Sequence, residues 1–249
     1  MTFWDHLDVL RKSIIRIAVA LIGVTVVLFF FKEFLFDRVI LAPADSSFWL
    51  YRILGLDFTL SLVNIEVAAQ FMIHMKVTFI CALILVFPYI IYELWLFIAP
   101  ALYANERKAI KGAFSVASAL FYLGLAVGYM VIFPIMINFF AGYQVTSDVP
   151  NTFSLSSYIS LFSSTVLIFG LVFQFPTLIA ILSGLGIVNR EGLREYRRHA
   201  ICAVVILAAL ITPSGDPFSL LVVTLPLYLL YEFSILICRK KEVVKTIEY

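Results

Sequence analysis

Polar side chains inside apolar runs are the residues of this 249-residue chain with the clearest capacity for chemistry. Gln174 stands within such a run, and Glu66, Gln70 and His74 recur at spacings of four, which places them on one helical face. Polar residues inside a membrane are costly and are usually retained for function. Gln174 therefore predicts a hydrogen bond, either to a partner's helix or to a neighbouring helix of this chain. The three-residue stripe predicts either the lining of a groove or a helix end in water.

The familiar motifs of membrane and soluble enzymes are missing from the sequence. It contains no phosphate-binding loop of the Walker type, no His-Glu-x-x-His zinc pattern and no Gly-x-Ser-x-Gly nucleophile elbow. The three histidines, His6, His74 and His199, lie far apart in the chain. We therefore predict no catalytic residues, no metal site and no cofactor.

Composition places the chain in a lipid bilayer. Hydrophobic residues make up 63% of the sequence and charged residues only 14%, and the mean hydropathy is +1.03. A soluble domain of this length does not carry so apolar a composition. The net charge of +2 is too small to indicate a nucleic-acid partner. We predict a single polytopic membrane domain over residues 1–249.

The apolar runs predict an all-α integral membrane fold with six transmembrane helices. Prolines within four of these runs predict kinks and a curved, concave bundle. Gly124 and Gly128 form a small-xxx-small step that predicts close packing of two helices. The predicted spans cover residues 14–31, 67–92, 113–140, 158–182, 200–211 and 219–238.

Spans 5 and 6 are predicted to be short. The apolar stretch of span 5, residues 200–211, would extend only about 18 Å as a helix, against about 30 Å of hydrocarbon. The clear apolar run of span 6 ends before Glu232. Glu232 follows Tyr231 as Glu93 follows Tyr92, and we interpret both tyrosines as anchors at the membrane interface.

The basic residues predict the orientation of the chain. Fourteen of the 18 lysines and arginines lie before or at the start of span 1, after span 6, or in the loops after spans 2 and 4. Alternating spans place these four segments on one side, which the positive-inside rule assigns to the cytoplasm. Both termini are therefore predicted to be cytoplasmic. Phe3, Leu7, Leu10 and Ile14 share one helical face, so the N-terminal segment is predicted to be an amphipathic helix at the interface.

The segment after span 2 reads Tyr92-Glu-Leu-Trp-Leu-Phe-Ile-Ala-Pro-Ala-Leu-Tyr-Ala-Asn-Glu-Arg107. It resembles the TatC family, the multispanning subunit of the twin-arginine protein translocase. Further matches in the family's order are His6-Leu7, Phe173-Gln-Phe-Pro176 and Asp216-Pro-Phe-Ser219. The resemblance implies a receptor in the prokaryotic cytoplasmic (inner) membrane that binds twin-arginine signal peptides. It would export folded proteins with the proton-motive force, together with single-span TatA- and TatB-type subunits and by self-association in a larger complex.

The resemblance also implies roles for particular residues. Glu106 matches an acidic residue that contacts the signal arginines, although without the family match it reads as a loop acid that balances Arg107 and Lys108. A second family acid in the N-terminal segment falls at Val9, and here the nearest acid is Asp8. Where the family often has Glu, this chain has Gln174. The implied signal-peptide contacts are Glu106, Asp8, Arg11 and Phe97, the implied intramembrane or partner contacts are Gln174, Phe71 and Lys76, and the implied structural turn residues on the outer side are Pro43 and Asp216.

Two other functions are compatible with a polytopic membrane protein. A secondary transporter for a small solute is the main alternative, and a membrane protease is a third. The transporter differs from the receptor in what binds, which is a small solute rather than a peptide with paired arginines.

Overall fold

The computed structural model describes residues 3–55, 60–146, 151–212 and 215–238, and most of them are helical. Two π-helical segments, Phe34–Ile40 and Gly128–Ile132, and two short 3-10 turns, Ala42–Ala44 and Ala99–Ala101, connect the α-helices. Two-residue strands β1 (Leu62–Val63) and β2 (Phe153–Ser154) pair in parallel. In the described ranges the α-helices are α1 (Phe3–Phe29), α2 (Trp49–Leu54), α3 (Ala69–Ile98), α4 (Ala104–Val127), α5 (Phe133–Gly142), α6 (Leu155–Val172), α7 (Phe175–Gly184), α8 (Arg190–Glu195), α9 (Arg197–Ile211) and α10 (Pro217–Ile237).

Five helical stretches in the described part of the chain are long and apolar enough to cross a bilayer. The helix that corresponds to predicted span 5 is α9, which has 15 residues and a length of about 22 Å. The short span 5 is therefore confirmed, and a sixth crossing through α9 stays a prediction. The five stretches are His6–Phe29, Ala69–Ile98, Ile110–Gly142, Leu155–Gly184 and Pro217–Ile237.

The prediction of a short span 6 is wrong. Helix α10 has 21 residues, which is about 31 Å and enough to cross. Glu232 does not end the helix because its carboxylate has partners. Tyr228 donates to its Oε1 at 3.0 Å, and the guanidinium of Arg197 in α9 lies 2.6 Å from its Oε2.

The sequence predicted an amphipathic helix at the interface before span 1, but the N-terminal segment does not form a separate helix. It is the first part of α1, which continues without interruption to Phe29. No proline stands between residues 3 and 29, and extending a helix is easier than starting a second one. The N-terminal residues therefore lie beside the last turns of α3 rather than apart from the bundle.

The prolines act at different places in their helices. Pro88 and Pro226 lie inside α3 and α10, whereas Pro134 and Pro176 stand in the first turns of α5 and α7. Because Pro88 has no N–H, the carbonyl of Ile84 loses its helical donor. The hydroxyl of Tyr122 in α4 donates to that carbonyl at 3.1 Å and joins the two helices there.

A compact cap covers the end of the bundle opposite the N-terminus, and Tyr51 of α2 lies at its centre. Its buried hydroxyl donates to the carbonyl of Pro43 at 2.9 Å, and burial raises its pKa, so that it stays protonated as a donor. Pro43 is itself buried in its 3-10 turn. At the other connection on this side, Asp216 caps α10 by accepting from the backbone N–H of Ser219 at 2.7 Å, while Pro213 and Ser214 lie outside the described residues.

Helices α4 and α6 approach each other closely at the centre of the bundle. A Cβ added to Gly124 would meet the backbone carbonyl oxygen of Phe169 and, at 2.7 Å, the Cβ of Phe173. A Cβ added to Gly128 would lie 3.0 Å from the Cβ of Phe169. The predicted small-xxx-small packing contact is confirmed, and beside it the rings of Phe87 and Phe121 stack at 3.5 Å.

Candidate functional site

The start of α1 and the end of α3 meet at the end of the bundle that carries the N-terminus. The ring of His6 stacks on Phe97 with their centroids 4.3 Å apart. Ten residues further along α1, the guanidinium of Arg16 lies 2.8 Å from Glu93 Oε2. These two contacts hold the first half of α1 against the end of α3. Together they form one side of the candidate site.

Glu93 is a buried carboxylate with a full set of partners. Its side chain is only 3% exposed, whereas that of Arg16 is 50% exposed. Tyr89, one turn earlier in α3, donates to Oε1 at 2.8 Å, and Arg16 also donates to the hydroxyl of Ser13 at 3.2 Å. Glu93 therefore ties two helices together through a charged hydrogen-bond network.

The same arrangement recurs between α9 and α10. Glu232 accepts from Tyr228 at its Oε1 and pairs with Arg197 at its Oε2. The sequence interpretation assigned the neighbouring tyrosines, Tyr92 and Tyr231, as anchors and missed both networks. The available signal was a tyrosine four residues before each glutamate, because residues at this spacing share a helical face.

The segment that carries the family resemblance is mostly helical rather than a loop. Helix α3 continues to Ile98, the 3-10 turn Ala99–Ala101 follows, and α4 begins at Ala104. Glu106 therefore lies in the first turn of α4. Its side chain lies outside those that the structure describes, whereas that of its neighbour Arg107 is exposed.

The predicted contacts of the N-terminal segment are exposed. Asp8 forms an ion pair with Lys12 one turn later, at 2.7 Å, and both side chains are more than half exposed. Arg11 is exposed, and Val9 is partly buried. The partly buried position that matches the family's acid is thus apolar in this chain, while Asp8 lies toward solvent.

The predicted partner contacts on α3 lie near its first turns. Lys76 donates to the hydroxyl of Ser160 in α6 at 3.4 Å, and the side chain of Phe71 is exposed. The polar stripe is not continuous, because Glu66 precedes α3 and His74 is buried. The ring of His74 stacks on Phe29 of α1 with centroids 4.2 Å apart, so it packs two helices together rather than lining a groove.

Gln174 bonds to a neighbouring helix of the same chain. It stands at the break between α6 and α7, and its Nε2 donates to the carbonyl of Ala117 in α4 at 3.0 Å. Of the two partners that the sequence left open, the structure shows this one. The bond joins the break between α6 and α7 to α4, about two turns before Gly124.

We expect Gln174→Leu to destabilise the protein by about 0.6 to 2 kcal/mol, the value of an interhelical hydrogen bond in a membrane protein. The leucine keeps the apolar contacts but loses the donor to Ala117. The thermal midpoint of unfolding in detergent measures the loss. Gln174→Glu should also lose stability when its carboxylate is ionised, because it then has no hydrogen to donate to Ala117. A Gln174→Leu variant as stable as the original protein would contradict the assigned bond.

Comparisons with known proteins identify the family. The family model described as "Sec-independent protein translocase protein (TatC)" matches residues 5–226 of this chain. The chain belongs to the TatC family. A TatC protein of Blattabacterium from Periplaneta americana is 39% identical over 95% of this chain and 94% of its own length. That of Escherichia coli K12 is 32% identical over 94% of this chain and 86% of its own length.

Solved structures of the TatC family share the fold. One, described as the crystal structure of the twin-arginine translocase receptor TatC, is 27% identical, covers 93% of this chain and 97% of its own length, and has a TM-score of 0.76. A second structure of this receptor in a detergent has a TM-score of 0.78. The chain is accordingly a multi-span membrane component of a protein translocase, which is a transport subunit rather than an enzyme.

Proposed function

We propose that this chain is a receptor that binds twin-arginine signal peptides at the end of the bundle where α1 begins, α3 ends and α4 begins. The observation that carries the proposal is the family match over residues 5–226, which includes the whole Tyr92–Arg107 segment. That segment forms the last turns of α3, the 3-10 turn and the first turn of α4. With single-span partner subunits, the chain would export folded proteins with the proton-motive force.

Glu106 supplies the proposed arginine contact. A carboxylate in the first turn of a helix is favoured by the helix dipole, and it can accept two parallel hydrogen bonds from a guanidinium. A lysine ammonium lacks the planar fork for this geometry. The requirement for arginine rather than lysine in the signal follows from that difference.

One carboxylate does not hold a signal peptide by itself. An exposed ion pair contributes about 0 to 1 kcal/mol, so other contacts must add to the affinity. Phe97 offers a ring beside the N-terminal helix, and Arg11 and Asp8 offer polar groups on its exposed side. The proposal also assigns this end, which carries most of the basic residues, to the cytoplasm.

Crosslinking to a signal peptide tests the proposal. We expect a photoreactive probe at Tyr103 to capture a twin-arginine peptide, and we expect replacement of both arginines by lysine to abolish the capture. Glu106→Gln should reduce capture by up to about fivefold, the value of one exposed ion pair. The protein is used whole, in detergent or reconstituted in lipid.

Glu191→Gln is the matched control, because Glu191 is an exposed acid in the first turn of α8. It removes the same charge from another helix start and should leave capture unchanged. Equal capture of the arginine and lysine peptides would overturn the receptor proposal. Equal effects of the two glutamine variants would show that Glu106 contributes only general charge.

A further inference from the structure

A narrow groove runs between α3 and α4 near the start of α4. Its volume is about 270 Å³. Helix α3 lines it with Ile91, Tyr92 and Trp95, and α4 lines it with Lys111, Phe114, Ser115 and Ser118. The α3 wall is therefore apolar and aromatic, and the α4 wall adds one aromatic ring, a cation and two hydroxyl groups.

Along α4, the polar side of the groove changes from charged residues to uncharged hydroxyl groups. Arg107 and Lys111 are exposed at the outer end, and Ser115 and Ser118 follow on the same face at spacings of four and three. Among the side chains that the structure describes, the three ion pairs include neither Arg107 nor Lys111. Positive charge thus concentrates at the mouth, and it decreases toward the centre of the bundle.

A hydrogen bond joins α3 and α4 beyond the inner end of the groove. Pro88 lines the apolar wall there, and the bond from Tyr122 to the carbonyl of Ile84, which the proline leaves free, joins the two helices. Tyr122 follows Ser118 by one turn on the same face of α4. The groove therefore has a basic mouth and a mostly apolar lining with two serine hydroxyl groups.

The charge and the lining of the pocket select its occupant. Lys111 lines the pocket, and Arg107 is exposed one turn nearer the start of α4, so the mouth attracts an anionic group. An anionic headgroup with a flexible hydrocarbon chain satisfies both ends, and basic pockets between transmembrane helices bind such headgroups.

We propose that this pocket binds one anionic phospholipid. The phosphate lies at Lys111 and Arg107, and part of an acyl chain packs along Ile91 and Pro88. Trp95 and Tyr92 lie at the level of the headgroup, where both residue types are favoured. The site faces the bilayer beside the proposed peptide contact and does not depend on that proposal.

Tryptophan quenching by brominated lipids tests the site. The chain has three tryptophans, and Trp4→Phe with Trp49→Phe leaves Trp95 as the reporter in the pocket. We expect brominated phosphatidylglycerol, added to phosphatidylcholine bilayers, to quench Trp95 with an apparent affinity about 25-fold above that of brominated phosphatidylcholine, or about fivefold for each basic residue. Lys111→Gln should reduce the preference about fivefold, and addition of Arg107→Gln should remove it.

Arg198→Gln is the control, since Arg198 is exposed at the same end but lies on α9. It should leave the preference unchanged. Equal quenching by the two lipids in the parent protein would overturn the proposal, whatever the variants do. An equal decrease in Arg198→Gln would indicate general surface attraction, and displacement of the lipid by a twin-arginine peptide would assign the pocket to the peptide. Either result would also overturn it.

Discussion

Gly124→Ala is expected to destabilise the protein by about 2 kcal/mol net. The new Cβ would overlap the backbone carbonyl of Phe169 and lie 2.7 Å from the Cβ of Phe173, so α4 and α6 must separate. Overpacking of this kind costs about 1 to 3 kcal/mol and more when backbone obstructs it. The better helix propensity of alanine recovers about 1 kcal/mol. The thermal midpoint of unfolding in detergent measures the difference.

Two other glycines give matched controls for this prediction. Gly112 lies in the same helix with nothing within 4 Å of an added Cβ, so Gly112→Ala should be neutral or stabilising. Gly170, on the facing helix, would meet the side chains of Phe121 and Leu125 at 2.8 and 2.9 Å. These contacts are with the far ends of side chains rather than with backbone, and Gly170→Ala should therefore cost less than Gly124→Ala. Equal midpoints for the three variants would contradict the close approach.

Arg16→Ala is expected to have the second large effect, a loss of about 2 to 3 kcal/mol. The change leaves the carboxylate of Glu93, which is 3% exposed, without its cationic partner. Removing one member of a buried pair costs more than the pair contributes, because the remaining charge stays desolvated. Unfolding in detergent, followed by the thermal midpoint, measures the loss.

The double variant Arg16→Ala with Glu93→Gln should recover most of that stability. The neutral amide needs no cation and can still accept from Tyr89. Arg197→Ala, in the equivalent but more open network, should cost less than about 1 kcal/mol, because Arg197 and Glu232 are 45% and 30% exposed. A double variant no more stable than Arg16→Ala would show that the charge of Glu93 is not the cause.

Local patterns in the sequence determined the class of this protein and its family. Apolar runs longer than a bilayer, the short α9 and the small-residue step at Gly124 are each visible within one segment, because hydropathy, length and helical period are local properties. The Tyr92–Arg107 segment identified the TatC family for the same reason. The length of α10 was mispredicted because Glu232 was treated as unpaired, and its partner Arg197 lies 35 residues away.

The tertiary structure alone decided which side chains meet. Arg16 and Glu93 are 77 residues apart, and no periodicity links them. The choice of Ala117 as the partner of Gln174 likewise depended on how α4 packs against the break between α6 and α7. The sequence by itself determined a multi-span helical membrane chain of the TatC family. Packing then decided its contacts, because the partner of a polar group in a bundle is set by which helix faces it and at what height.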